Sequence, residues 1–133
     1  MKSTIVFHRV IAALAMASAS FAAKAEFPDK PVTLVVPFAA GGPSDKIARD
    51  LAEALRKPLG GQTVIVENVG GAGGMVGLPR FVNQRKGQGN SLMIGGSVMI
   101  GAGIANKSPV TIKDVTPIAR LTEEAGVIVV PAG

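Results

Sequence analysis

The chain has 133 residues, 47% of them hydrophobic, with 14 basic and nine acidic side chains and a formal net charge of +5. It has no cysteine, tryptophan or tyrosine, and a single histidine, His8. No cysteine nucleophile is available, and with scattered basic residues and no Trp or Tyr to stack on bases, a nucleic-acid partner is not indicated.

The N-terminus reads as an export signal, residues 1–25. Lys2, His8 and Arg9 form a positive start, Val10–Ala17 an uncharged apolar run, and Ala23-Lys24-Ala25 an A-x-A cleavage pattern. Cleavage is expected after Ala25, with Ser20-Phe21-Ala22 as the second choice. The uncharged stretch Val10–Ala23 is short for a membrane span. No cysteine follows it for lipid attachment, and no Arg-Arg pair precedes it. The expected location is therefore periplasmic. Three basic residues (Lys2, Arg9, Lys24) belong to the leader, so residues 26–133 hold 11 basic and nine acidic side chains, a net +2. That portion has neither His nor Cys, which rules out the usual zinc sites and Ser-His-Asp triads. Its length suits one domain at most.

Val32–Pro37 is a continuous apolar run, rich in β-branched residues and bounded by prolines, the pattern of a strand buried on both faces. Phe38–Gly42 is a glycine-ended loop. A helix is predicted over 43–57, with Gly42 as N-cap, Pro43 at the first position and Asp45 in the first turn. Ile47, Leu51 and Leu55, flanked by Ala48 and Ala52, make its apolar stripe. Pro58 and Gly60-Gly61 end it. Thr63–Glu67 reads as a second strand. Asn68–Gly77 holds five glycines. A second helix is predicted over 77–85, with Phe81 and Val82 inward, then a turn over 86–90. Leu92–Ile94 reads as a third strand, followed by a glycine-dotted loop from Gly95 to Gly103 and a turn over 106–109. Thr116–Leu121 and Val127–Val130 are two further strand candidates. Two helices cannot cover about five parallel strands on both faces, so the chain is expected to be part of a larger protein.

The run FPDKPVTLVVPFAAGGPSDKIARDLAEAL resembles the start of the mature Bug-type receptors, the periplasmic solute-binding proteins of tripartite tricarboxylate transport systems. VIVENVGGAGGMVG resembles that family's V-V-x-N-x-x-G-A-G-G-x-x-G segment, and SLMIGG and DVTPIARLTEEAGVIVVP follow in the family's order. The resemblance implies an α/β, periplasmic-binding-protein-like fold of the two-lobed Venus-flytrap type (type II). Here it would be an incomplete first lobe with a mostly parallel sheet, residues 26–133. It further implies capture of a small organic acid, such as a di- or tricarboxylate, for a membrane transporter complex, without catalysis, cofactor or metal. Carried onto this chain, the ligand-binding residues are Phe38, Ala39, Ala40, Gly41, Gly42, Ser44 and Asp45 in the first loop. Asn68, Gly71, Ala72, Gly73 and Gly74 follow in the second, with Ser97 as a third wall. One departure is Gly89-Asn90-Ser91-Leu92, where the family commonly has an acid and an aromatic before the third strand.

Helix-start N–H groups suit carboxylate oxygens, and glycine permits close approach, so the loop chemistry agrees with that implication. The plainer alternative is that the glycines only make tight turns. Asp45 reads first as a helix-start cap, otherwise as a group orienting a water or a ligand hydroxyl. Ser44 either donates to the ligand or faces solvent, and Asn68 reads as a loop-holding residue. A nucleotide-binding α/β enzyme domain is the alternative of another class. It lacks the G-x-x-x-x-G-K-[ST] pattern and an acid about twenty residues beyond a G-x-G-x-x-G. A non-functional truncated remnant is the third reading.

Overall fold

The computed structural model describes residues 27–123 and 129–131. The predicted export signal and residues 127–128 of the Val127–Val130 strand candidate lie outside the described residues; Val129 and Val130 join no strand among the described residues and are 82% and 81% exposed. β1 (Val32–Val36) is the central strand of a three-stranded parallel sheet, with β2 (Val64–Asn68) on one side and β3 (Ser91–Met93) on the other. Val32 aligns with Val64 and Val36 with Asn68, while Thr33 aligns with Ser91 and Val35 with Met93. α1 (Pro43–Arg56) connects β1 to β2, and α2 (Gly77–Arg85) connects β2 to β3.

The period-2 alternation of β1 explains its unbroken hydrophobicity. Leu34 and Val36 face α1 and form a buried cluster with Ala48 and Ile94, extended by Phe38, Leu51, Val64, Val66 and Leu92. Val35 points the other way, towards Val69, Gly77 and Phe81 at the start of α2. Both faces of the strand are therefore covered, and all five of its residues except Thr33 are buried. α1 starts as its residues dictate, with Gly42 as N-cap and Pro43 in its first turn. It ends at Arg56, one residue before the predicted end, where Gly60 and Gly61 take positive φ and Gly61 N–H bonds back to Arg56 O.

Two segments depart from the sequence reading. The glycine-dotted stretch after β3 is a helix, α3 (Ser97–Ala105), rather than a loop. The helix docks through Ala102 and Met99, which lie against the 3-10 turn Ala72–Gly74. Tertiary contact thus overrides the poor helix propensity of Gly101 and Gly103. Met99 is 2% exposed, whereas Val98 (63%) and Ile104 (75%) on the same helix face solvent. Thr116–Leu121 joins no sheet in the described residues, and Ile118 stays 79% exposed. A second 3-10 turn, Ile112–Asp114, is capped by Thr111. Among the described residues no helix is long and apolar enough to cross a membrane.

Candidate functional site

With three parallel strands in the order β2-β1-β3, the loops after all of them emerge at one edge. The chain leaves β1 towards β2 and then crosses to β3, so the order reverses beside β1, where a crevice forms in open α/β sheets. The loops touch one another. Gly70 lies so close to the first loop that a Cβ there would come within 3.0 Å of Ala39 N and 3.2 Å of Phe38 C. The 3-10 turn reaches α3: a Cβ on Gly73 would meet Ala102 at 2.8 Å, and one on Gly74 would meet Met99 at 3.0 Å. Gly73 and Gly74 also carry positive φ, +64° and +94°, which glycine alone adopts readily.

The first loop is pinned by Asp45, which is 4% exposed. Its Oδ2 accepts from Arg49 Nε and from Gly41 N–H, each at 2.9 Å, and its Oδ1 accepts from Asn68 Nδ2 at 2.9 Å. Asn68 Nδ2 also points to Phe38 O at 3.4 Å. The bond from Arg49 acts most strongly, followed by those from Gly41 and Asn68. Together they hold the Asp45 carboxyl well below the usual carboxylate range, against the opposing effect of burial.

Because Asp45 reaches back to Gly41, it does not cap the N–H groups ahead of it. No side chain caps α1 or α3 at its start. The N–H groups of Ala39, Ala40, Gly42, Ser44 and Asp45 find no acceptor among the described residues, nor do those of Gly71, Ala72, Gly73, Ser97 and Val98. An edge with that many free donors and two helix starts suits an anion.

The sequence-predicted site residues divide into two groups. Ala39, Ala40, Gly42, Ser44, Gly71, Ala72 and Ser97 lie on the carboxyl edge with free N–H groups. Phe38, Gly41, the Asp45 carboxylate, Asn68 and Gly74 are committed to structure, while Gly73 packs on Ala102 and also keeps a free N–H. Phe38 packs on the core, Gly41 donates to Asp45, and Gly74 is buried against Met99. Asn68 holds the loop, as its sequence position suggested. Arg49 and Gly70 were missed. The four-residue spacing of Asp45 and Arg49, acid first, was a signal for the first. Gly70 gives no sign in one dimension that a neighbouring backbone lies on it.

The described residues thus form an α/β unit with a three-stranded parallel sheet, and N–H groups without an acceptor among those residues gather at its carboxyl edge. The family model described as "Tripartite tricarboxylate transporter family receptor" matches residues 47–133, well over half of the chain, and the protein belongs to that family. It is similar to "UPF0065 protein in the TAR-I ttuE-ttuC' intergenic region" of Agrobacterium vitis, 56% identical over 55 residues, 41% of this chain and 16% of that protein. It is 31% identical to "UPF0065 protein in tcbD-tcbE intergenic region" of a Pseudomonas species, over 93% of this chain and 38% of the relative. A solved structure, "Structure of periplasmic binding protein BugD", aligns with a TM-score of 0.46 at 52% identity, over 50% of this chain and 22% of that one. The chain therefore spans well under half the length of the curated relatives it matches.

Proposed function

We propose that this chain supplies the carboxylate-gripping edge of an extracytoplasmic solute receptor. The ligand is a small organic acid, a di- or tricarboxylate or similar, passed on to a membrane transporter. The observation that carries this reading is the array of free N–H groups at the starts of α1 and α3 and on the glycine turn. Family membership and the leader-like N-terminus support it. One carboxylate oxygen can accept from Ser44 and Gly42, while Ser97 and Val98 offer donors for a second group across the crevice. No catalytic step is assigned.

The test is a titration of the 15N-labelled full chain with citrate, succinate and benzoate, each followed by amide NMR. Saturable shifts of the Gly42, Ser44, Gly71 and Ser97 amides are expected. Shifts spread over surface lysines, or no saturation with any of the three acids, would remove the reading. Export is tested separately: on expression in a Gram-negative host, the periplasmic fraction should yield a chain beginning at Glu26.

A further inference from the structure

Asp45 accepts three hydrogen bonds from within the fold. Oδ2 holds Gly41 N–H and Arg49 Nε, and Oδ1 holds Asn68 Nδ2. A carboxylate so occupied, and 4% exposed, has no role left as a ligand contact. Its partners belong to three separate parts of the edge: the first loop, the second turn of α1 and the last residue of β2. Asn68 adds a contact to Phe38 O, so the first loop is held at both of its ends, Phe38 and Gly41.

We propose that Asp45 and Asn68 are a positioning pair, with Arg49 as their counter-charge, that sets the first loop from β2 and reserves the α1 N–H groups for an anion. An Asp in the first helical turn usually spends its acceptors on, or beside, the helix's own donors. Here the carboxylate turns backwards to Gly41, and the donors at Gly42 and Ser44 stay open. An isolated carboxylate beside an anion site would repel the anion. The ion pair with Arg49 at 2.9 Å cancels that charge and leaves the partial positive charge of the helix start unopposed. Gly70 completes the arrangement, because its missing Cβ lets the second loop rest on Ala39. The two loops therefore form one unit, shaped from the end of β2.

The binding consequence rests on the proposed function, but the positioning itself is open to a test without any ligand. In the full chain, amide exchange of Gly41 should be about tenfold slower than that of Ala40 and Gly42, which have no acceptor. Asn68→Ala leaves Asp45 and Arg49 in place. It should speed Gly41 exchange about threefold or more and shift the Ala39 and Ala40 resonances, with Leu51 and Ala52 inside α1 unchanged. Simple helix capping by Asp45 predicts no response at Gly41 to a change at Asn68, and that result would overturn the pair. Should Asn68→Ala not fold, Asn68→Ser serves the same purpose. Fast exchange of Gly41 in the unaltered chain is equally fatal.

In the citrate titration, Asn68→Ala should weaken binding about fivefold or more while the Gly42 and Ser44 amides still respond. Unchanged affinity overturns the positioning role. Absence of binding by the unaltered chain overturns the functional reading alone, and the exchange experiment then decides the pair.

Discussion

Asn68 Nδ2 meets Asp45 Oδ1 at 2.9 Å, joining the end of β2 to the first turn of α1 across 23 positions of sequence. The bond is possible because β2 runs parallel to β1 in register, Asn68 opposite Val36, so that both strands deliver their next residues at one height. It places an amide donor on a carboxylate that Arg49 and Gly41 have already drawn into its ionised form.

That chemistry predicts an acid response. Folding lowers the pKa of Asp45, so its ionised form contributes stability that is fully present above the ordinary value of about 3.8. The contribution is lost as pH falls below that value towards the folded-state one. Melting temperatures followed by circular dichroism should drop between about pH 4 and pH 2.5, and Asp45→Asn should flatten that drop. Parallel curves for the two proteins would show that the carboxylate is not held as described.

Glycines at this edge should differ sharply in tolerance. A Cβ on Gly77 would sit 2.8 Å from both Pro37 Cβ and Val69 O, with no flexible side chain to yield. Gly77→Ala is expected to cost about 1–3 kcal/mol. Gly42, with ordinary φ and only Ala39 O at 3.6 Å, has room. Gly42→Ala should stay within about 1 kcal/mol, its lost N-cap preference offset by a stiffer unfolded chain. Equal losses in denaturant melts would refute the packing of α2 on the β1 end.

What could be read in advance follows a physical divide. β1, α1 and α2 were legible because each carries its own apolar pattern and boundary signals: the apolar run to Pro37, the stripe Ile47-Leu51-Leu55, and Phe81 and Val82 ahead of the polar turn over 86–90. α3 was not, because Gly101 and Gly103 look like breakers until the 3-10 turn Ala72–Gly74 is seen packed against Ala102 and Met99. Thr116–Leu121 has strand-like composition but finds no partner strand among the described residues. At the site, loop identity was readable from the glycines. The division between free donors and structural ones was not, since it depends on where Asp45 turns.

The ion pairs should rank by enclosure. Glu67, at the end of β2, meets Arg85 at 2.6 Å and Arg80 at 3.2 Å, and both partners in the Arg85 pair are less than one-third exposed. Lys46–Asp50 and Arg56–Glu53 are open helix-surface pairs. Arg85→Ala is expected to cost about 1–2 kcal/mol because Glu67 loses its closest partner, whereas Lys46→Ala should cost under about 0.5 kcal/mol. Half a molar salt should weaken the second pair far more than the first. A Lys46 effect equal to that of Arg85 in urea melts would mean that α2 is not clamped to β2 by this contact.

Met99 tests how the third loop is held. Its side chain lies within 3.0 Å of where a Gly74 Cβ would stand and within 3.1 Å of the same point at Gly95, so one residue seats α3 on the turns after both β2 and β3. It also forms a wall of an apolar groove of about 340 Å³ shared with Met75, Leu78 and Ile112. Truncation removes contacts on two sides and enlarges a groove that has little to collapse into it. Met99→Ala should therefore cost about 2–5 kcal/mol, while the volume-conserving Met99→Leu stays within about 1.5 kcal/mol. Because Ser97 and Val98 sit just ahead of Met99, Met99→Ala should also broaden their amide resonances and leave those of Ser44 sharp. Equal stability of the two variants would show that α3 does not rest on the glycine turn, and the Ser97 wall would then have to be set aside.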